Sequence, residues 1–198
     1  MAEPPIKHYK RYLYGRRKKV IRLLDATEFL SPEETAIRMR GMVIPVPRLQ
    51  IGFGAEEGLA YGFTGVQVNA KKWPLPIESL ATRIRDFLES EDVLPKESPP
   101  PNYVLVNKYV NGNHYIGWHS DKEKRLDTKY PIVSLSLGAA RDFCLRLIKD
   151  QKHKRNILLE NGDLVVMLPG MQQTWQHCIP KRKNVTETRY NLTFRWVI

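Results

Sequence analysis

The sequence predicts a β-rich α+β fold whose C-terminal half is a β-sandwich or jelly roll. Three observations point there. From Asn102 onward the chain is a series of short runs of strand-forming residues separated by turn signals. Only one long stretch, Ile77 to about Ser90, carries a helical apolar stripe. No βαβ alternation, internal repeat or glycine-rich phosphate loop occurs. The 198 residues, 42% of them hydrophobic, suffice for one buried core. Lys and Arg number 32 against 21 Asp and Glu. The net charge of +11 and pI of about 9.7 favour a polyanionic partner, with nucleic acid foremost.

Taken in order, residues 1–20 read as a basic arm outside a single domain spanning 21–198. Arg16-Arg17-Lys18-Lys19 reads as a nuclear address, a phosphate contact or a solvated charge run. Ser31-Pro32-Glu33-Glu34 reads as a helix start, with Ser31 as N-cap and Pro32 in the first turn. Residues 41–66 mix Gly41, Pro45, Pro47, Gly52, Gly54, Gly58, Gly62 and Gly65 with Arg48, Phe53, Tyr61 and Phe63. That composition predicts hairpins and turns. It suits a surface that receives a flat ligand, or a loop anchored over the core. Trp73-Pro74-Leu75-Pro76 then opens a helix, in which Ile77, Leu80, Ala81, Ile84, Phe87 and Leu88 share one stripe. Pro95 to Pro101 is a linker.

Strands are predicted at Tyr103–Val110, Ile132–Leu137, Phe143–Ile148, Asn156–Leu159, Leu164–Leu168, Thr174–Ile179 and Arg189–Val197. Val133, Leu135 and Leu137 share one face. Cys144 and Cys178 are the two cysteines and form no CxxC, which argues against a disulfide scaffold or structural zinc and for a reducing compartment. No apolar run approaches the ~20 residues of a membrane helix, and Met1 to Lys19 contain no apolar signal core. No membrane association is expected.

His119 and Asp121, two apart on an extended segment, project from one face. His177 lies near the end of another predicted strand. Two imidazoles and a carboxylate can hold Fe(II) with open positions for cosubstrate and oxygen; zinc in a hydrolytic site can use the same ligands. On the last strand Arg189, Asn191, Thr193 and Arg195 fall on one face, and Tyr190, Leu192, Phe194 and Trp196 on the other. Arginines turned into a barrel need a partner, and a dicarboxylate would serve both. Asn107 and Tyr109 alternate in the same way and offer further donors. An outer face binding phosphate is the competing reading.

Together these segments resemble the AlkB family of Fe(II)- and 2-oxoglutarate-dependent nucleic-acid dealkylases, the DNA- and RNA-repair homologues above all. The resemblance rests on Asn107-Lys108-Tyr109, His119-Ser120-Asp121-Lys122-Glu123, Pro131 to Phe143, His177, and Arg189 to Arg195, with Pro47-Arg48 and Tyr61 to Gly65 in a lid. It covers roughly residues 45–197. It implies a double-stranded β-helix (jelly-roll) core over 102–198, supporting N-terminal helices, and a nucleotide-recognition lid over 41–66. It further implies that His119, Asp121 and His177 bind Fe(II), with no catalytic residue beyond them. Arg189, helped by Tyr109, would pair with the distal carboxylate of 2-oxoglutarate. Arg195 and Asn107 would lie near its iron-chelating end, supported by Asn191 and Thr193. Phe63 would stack on the flipped base, and Arg48, Tyr61, Glu123 and Arg141 would line the nucleotide site. Glu123 has a physical reason of its own: a base methylated at N1 or N3 is cationic, and a carboxylate favours the cation.

The implied reaction is oxidative demethylation of bases such as 1-methyladenine and 3-methylcytosine in DNA or RNA. Formaldehyde leaves, and 2-oxoglutarate and O2 become succinate and CO2. A monomer in the nucleus or cytoplasm is expected. The alternatives are an RNA-modification demethylase and a catalytically silent nucleic-acid-binding jelly roll. One departure bears on substrate: between Glu33 and Pro47 no aromatic residue is available to wedge a duplex, and Met42, Val43 and Ile44 are the apolar candidates. Single strands are therefore the expected preference.

Overall fold

Alternation of apolar and polar residues makes strands the dominant element. A computed structural model describes residues 3–39, 41–63 and 66–198. The strands are β1 (Ile6–Tyr9), β2 (Ile37–Met39), β3 (Met42–Ile44), β4 (Leu49–Gly54), β5 (Ala60–Phe63), β6 (Val66–Lys72), β7 (Tyr103–Tyr109), β8 (Ile116–His119), β9 (Ile132–Gly138), β10 (Arg141–Leu147), β11 (Lys154–Leu159), β12 (Leu164–Met167), β13 (Trp175–Ile179) and β14 (Arg189–Arg195). The helices are α1 (Arg17–Asp25), α2 (Leu75–Ser90) and the one-turn α3 (Met171–Thr174).

A major sheet runs in the order β1-β12-β9-β14-β7-β4-β6-β5, and a minor sheet in the order β11-β10-β13-β8. This is a jelly-roll arrangement. The strict alternation of β14 builds both of its faces. Tyr190, Leu192, Phe194 and Trp196 join Val133, Leu135 and Leu137 in a core shared with Leu24 of α1 and with Ile77, Leu80, Ile84 and Leu88 of α2. The other face of the major sheet meets the minor sheet through Leu105, Tyr109, Ile132, Phe143, Leu145, Val165 and Trp175. Helices, major sheet and minor sheet thus form three layers.

Two expectations fail here. The first is the boundary at residue 20. Residues 6–9 pair antiparallel with β12, from Ile6↔Met167 to Tyr9↔Leu164. Leu13 is buried in the core. His8 Nε2 and the Arg11 backbone N–H both reach the Asp163 carboxylate, each at 2.9 Å. The charge count of the segment hid Ile6, Tyr9, Tyr12 and Leu13, and it is this apolar set that docks; the Tyr9 and Tyr12 rings each lie 4.8 Å from Phe87 of α2. The second is the helix at Ser31. Its reciprocal cap does form: the Ser31 N–H donates to Glu34 Oε2 (2.7 Å) and the Glu34 N–H to Ser31 Oγ (3.2 Å). It closes a single turn, because Ile37–Met39 then pair with Met42–Ile44 as a hairpin, with Gly41 at φ +78° in the bend. Met42 and Val43 stand exposed on it.

Candidate metal and cosubstrate site

His119 ends β8 and pairs in register with His177 on β13. Their rings face the major sheet, 4.2 Å apart between centroids. Asp121 follows two residues after His119, and its backbone N–H donates to Gln172 Oε1 at 2.9 Å. One ligand atom from each of the three lies within 4.8 Å of the others. His119 Nδ1 sits 2.8 Å from the Gly117 carbonyl oxygen. A carbonyl only accepts, so Nδ1 carries the proton and Nε2 presents its lone pair. That lone pair points at Asp121 Oδ1 across 3.5 Å, and His177 Nε2 lies 3.9 Å from the same oxygen.

The charge states agree with this. Burial, then the neighbouring His119, lowers His177 to about 3. Desolvation likewise lowers His119. Burial alone would raise Asp121; Arg195 and the two imidazoles outweigh it and hold the carboxyl well below its usual range. At neutral pH two neutral imidazoles and a carboxylate therefore face one another. Such a donor set fits a divalent cation with open positions.

The polar face of β14 lies beside this group. Arg195 donates to Asp121 Oδ2 at 2.7 Å and lies 4.5 Å over the Tyr61 ring. Asn191 Nδ2 donates to Ser134 Oγ at 2.7 Å. Arg189 is buried and packs on Tyr109 at 5.2 Å. It donates to Ser136 Oγ, while its Nε and Nη1 have no partner. Burial lowers it to about 10, so it stays cationic at neutral pH. A buried guanidinium with two open donors calls for an anion, and a dicarboxylate fits it. Asn107 Oδ1 accepts from Arg48 Nε (2.6 Å) and Gln50 Nε2 (2.8 Å).

A cleft of about 520 Å³ is lined by Arg48, Tyr61, Asn107, Tyr109, His119, Asp121, Glu123, His177, Asn191, Thr193 and Arg195 among others, and Arg189 packs against its Tyr109 wall without lining it. Tyr115 and Trp118 also line it, and Arg146 caps Trp118 from 4.5 Å. Desolvation, then the Asp121 charge, raises the Glu123 carboxyl, which is also hydrogen-bonded with Tyr61. Its Oε2 is buried without a partner.

Two expected substrate residues are not seen at the cleft. Arg141 is buried elsewhere; its guanidinium donates to the carbonyls of Asn111 (3.3 Å), His114 (2.9 Å) and Pro180 (2.6 Å), tying loops together. Its Nε has no partner. The Phe63 side chain lies outside the described residues. The sequence reading also missed Gln172, which holds Asp121, and Gln50. Ser134 and Ser136 were signalled by the polar half of the β9 alternation.

The family model described as 2OG-Fe(II) oxygenase superfamily matches residues 16–195. The mouse protein named DNA oxidative demethylase ALKBH2 is 34% identical over 94% of this chain and 78% of its own length. Its human counterpart is 34% identical over 86% of this chain, which spans 64% of that protein. Mouse alpha-ketoglutarate-dependent dioxygenase alkB homolog 3 is 31% identical over 77% of this chain and 52% of its own length. The solved structure of OsALKBH1 superposes with a TM-score of 0.67 at 21% identity, covering 98% of this chain and 99% of that one.

Proposed function

The chain belongs to the 2OG-Fe(II) oxygenase superfamily and within it to the AlkB family, and from that premise we propose that it oxidatively demethylates N-alkylated bases in nucleic acid, single strands before duplexes. The observation that carries the reading is Glu123: a desolvated carboxyl with an unpartnered buried oxygen in the cleft that also holds His119, Asp121 and His177.

When bound, Fe(II) with 2-oxoglutarate and O2 supplies oxidation of an N-methyl group, releasing formaldehyde, succinate and CO2. The residues supply the rest. His119, Asp121 and His177 hold the metal. The open donors of Arg189 take the distal carboxylate, with Tyr109 packed against it. Arg195, already paired with Asp121, neutralises charge at the near end, where Asn107 offers its Nδ2 and Asn191 and Thr193 line the wall. A base cationic through methylation at N1 or N3 lets Glu123 ionise beside it, so charged lesions bind better than neutral bases. Arg48 and Tyr61 line the same cleft. The β2–β3 hairpin beside the cleft carries Met42 and Val43 and no aromatic wedge, which supports the lean to unpaired substrates.

The test is a short single-stranded oligonucleotide carrying 1-methyladenine, incubated with protein, Fe(II), ascorbate and 2-oxoglutarate and followed by mass. Loss of one methylene unit that needs 2-oxoglutarate and vanishes in His177→Ala is expected. Succinate without a mass change discards this lesion and keeps the oxygenase. Neither signal from folded, iron-loaded protein overturns the enzymatic reading in favour of a binding module. Equal rates on duplex and single strand would overturn the strand preference.

A further inference from the structure

The two cysteines, 34 residues apart in the sequence, sit directly opposite each other in the minor sheet. Cys144 of β10 and Cys178 of β13 are register partners in an antiparallel pair. Successive residues alternate faces, so both thiols lie on the side of the sheet away from the cleft, while Leu145 and His177, the next register pair, face it. The thiols are within hydrogen-bonding reach of each other. Cys144 is half-exposed and its Sγ donates to Asn156 Oδ1 at 3.1 Å; Cys178 is buried. Directly opposed residues on antiparallel strands have Cα atoms about 4.5–5.5 Å apart, inside the roughly 4.4–6.8 Å window of a disulfide. The register thus places the two Cα atoms in the range a disulfide spans.

We propose that Cys144 and Cys178 are a redox modification site, which a low-molecular-weight disulfide converts to a reversible cross-strand disulfide. The accessible Cys144 sulfur attacks the incoming disulfide. That S–S bond breaks, a mixed disulfide forms on Cys144, and one small thiol leaves with the proton that Cys144 gives up. Cys178 then attacks the Cys144 sulfur, the protein S–S bond forms, and the second small thiol leaves with the Cys178 proton. Two protein thiols are oxidised and one small disulfide is reduced. Cys178 is buried, so the second exchange is followed over hours. The bond would fasten β13, the strand presenting His177, to β10 one residue away from that ligand.

The experiment treats iron-loaded protein with oxidised glutathione and reads intact mass and free thiols, then adds dithiothreitol. The wild type is expected to lose two hydrogen atoms with no retained glutathione and no dimer, and to recover both thiols on reduction. Cys178→Ser is expected to stop at a glutathione adduct on Cys144. Cys144→Ser is expected to remain unmodified. The oxidised wild type is expected to melt several degrees above the reduced form. A stable glutathione adduct on the wild type, disulfide-linked dimers, or two unreacted thiols would each overturn the proposal. An unchanged melting temperature in fully oxidised protein would overturn the fastening of β13. The wild-type arms stand even where a serine variant fails to fold.

Discussion

His177 joins two properties that ordinarily conflict, deep burial and proximity to a carboxylate. In an unfolded chain it titrates near 6.5, and in the fold near 3. Above pH 6.5 it is neutral in both states and adds no pH dependence. Below that, the unfolded chain takes up a proton that the folded one refuses. Metal-free protein should therefore lose stability as pH falls from about 6.5, by up to about 1.4 kcal/mol per pH unit, levelling toward pH 3. His177→Gln should flatten this limb; urea titrations across the range measure it. At Arg189 the open donors predict a different readout. Arg189→Met should raise the 2-oxoglutarate KM by about 10- to 100-fold while folded content is kept. Glu123→Gln should lower kcat/KM on a cationic methylated base about tenfold or more and leave uncoupled succinate formation unchanged. The alternation of Arg189, Asn191, Thr193 and Arg195 and the His-x-Asp spacing were legible because a strand's two-residue period writes its faces into the sequence. Gln172 was not, since it meets Asp121 from 51 residues away. The contacts of Arg141 were illegible for a similar reason: nothing local shows that three distant carbonyls converge on it.

Among the elements, α2 follows its sequence most closely, because its stripe faces an apolar sheet. Ile84 is fully buried there. Ile84→Ala should cost about 2–5 kcal/mol in chemical denaturation and spare turnover at low temperature, since the helix lies on the far side of the sheet from the cleft. The connection after β7 is constrained by backbone contact. A Cβ at Gly112 would lie 1.6 Å from the Arg182 carbonyl oxygen, where the two segments bond as Arg182 N–H to Gly112 O at 2.8 Å. Gly112→Ala should push the Lys181–Lys183 segment away and lower the melting temperature by several degrees, read by thermal denaturation. The β1 strand and the halt after one turn beyond the Ser31 cap were illegible at this scale. The first depends on pairing with the distant β12 and the second on the adjacent β2–β3 hairpin, and composition reports neither.

At the scale of the molecule the net charge of +11 predicts that binding to a single strand weakens about tenfold or more between 50 and 200 mM salt. Among the described residues no helix is long and apolar enough to cross a membrane. The order of strands has a further effect. β14 lies between β9 and β7, in the interior of the major sheet, whereas β8 is an edge of the minor one. Backbone amides of β14 should exchange with deuterium only through global unfolding, and those of β8 through local opening. The two arginines thus belong to the slowest-opening part of the molecule, and His119 to one of the fastest. A chelator can then strip the metal from a chain that keeps its arginine face intact, and reloading would require one short strand to close again rather than the protein to refold.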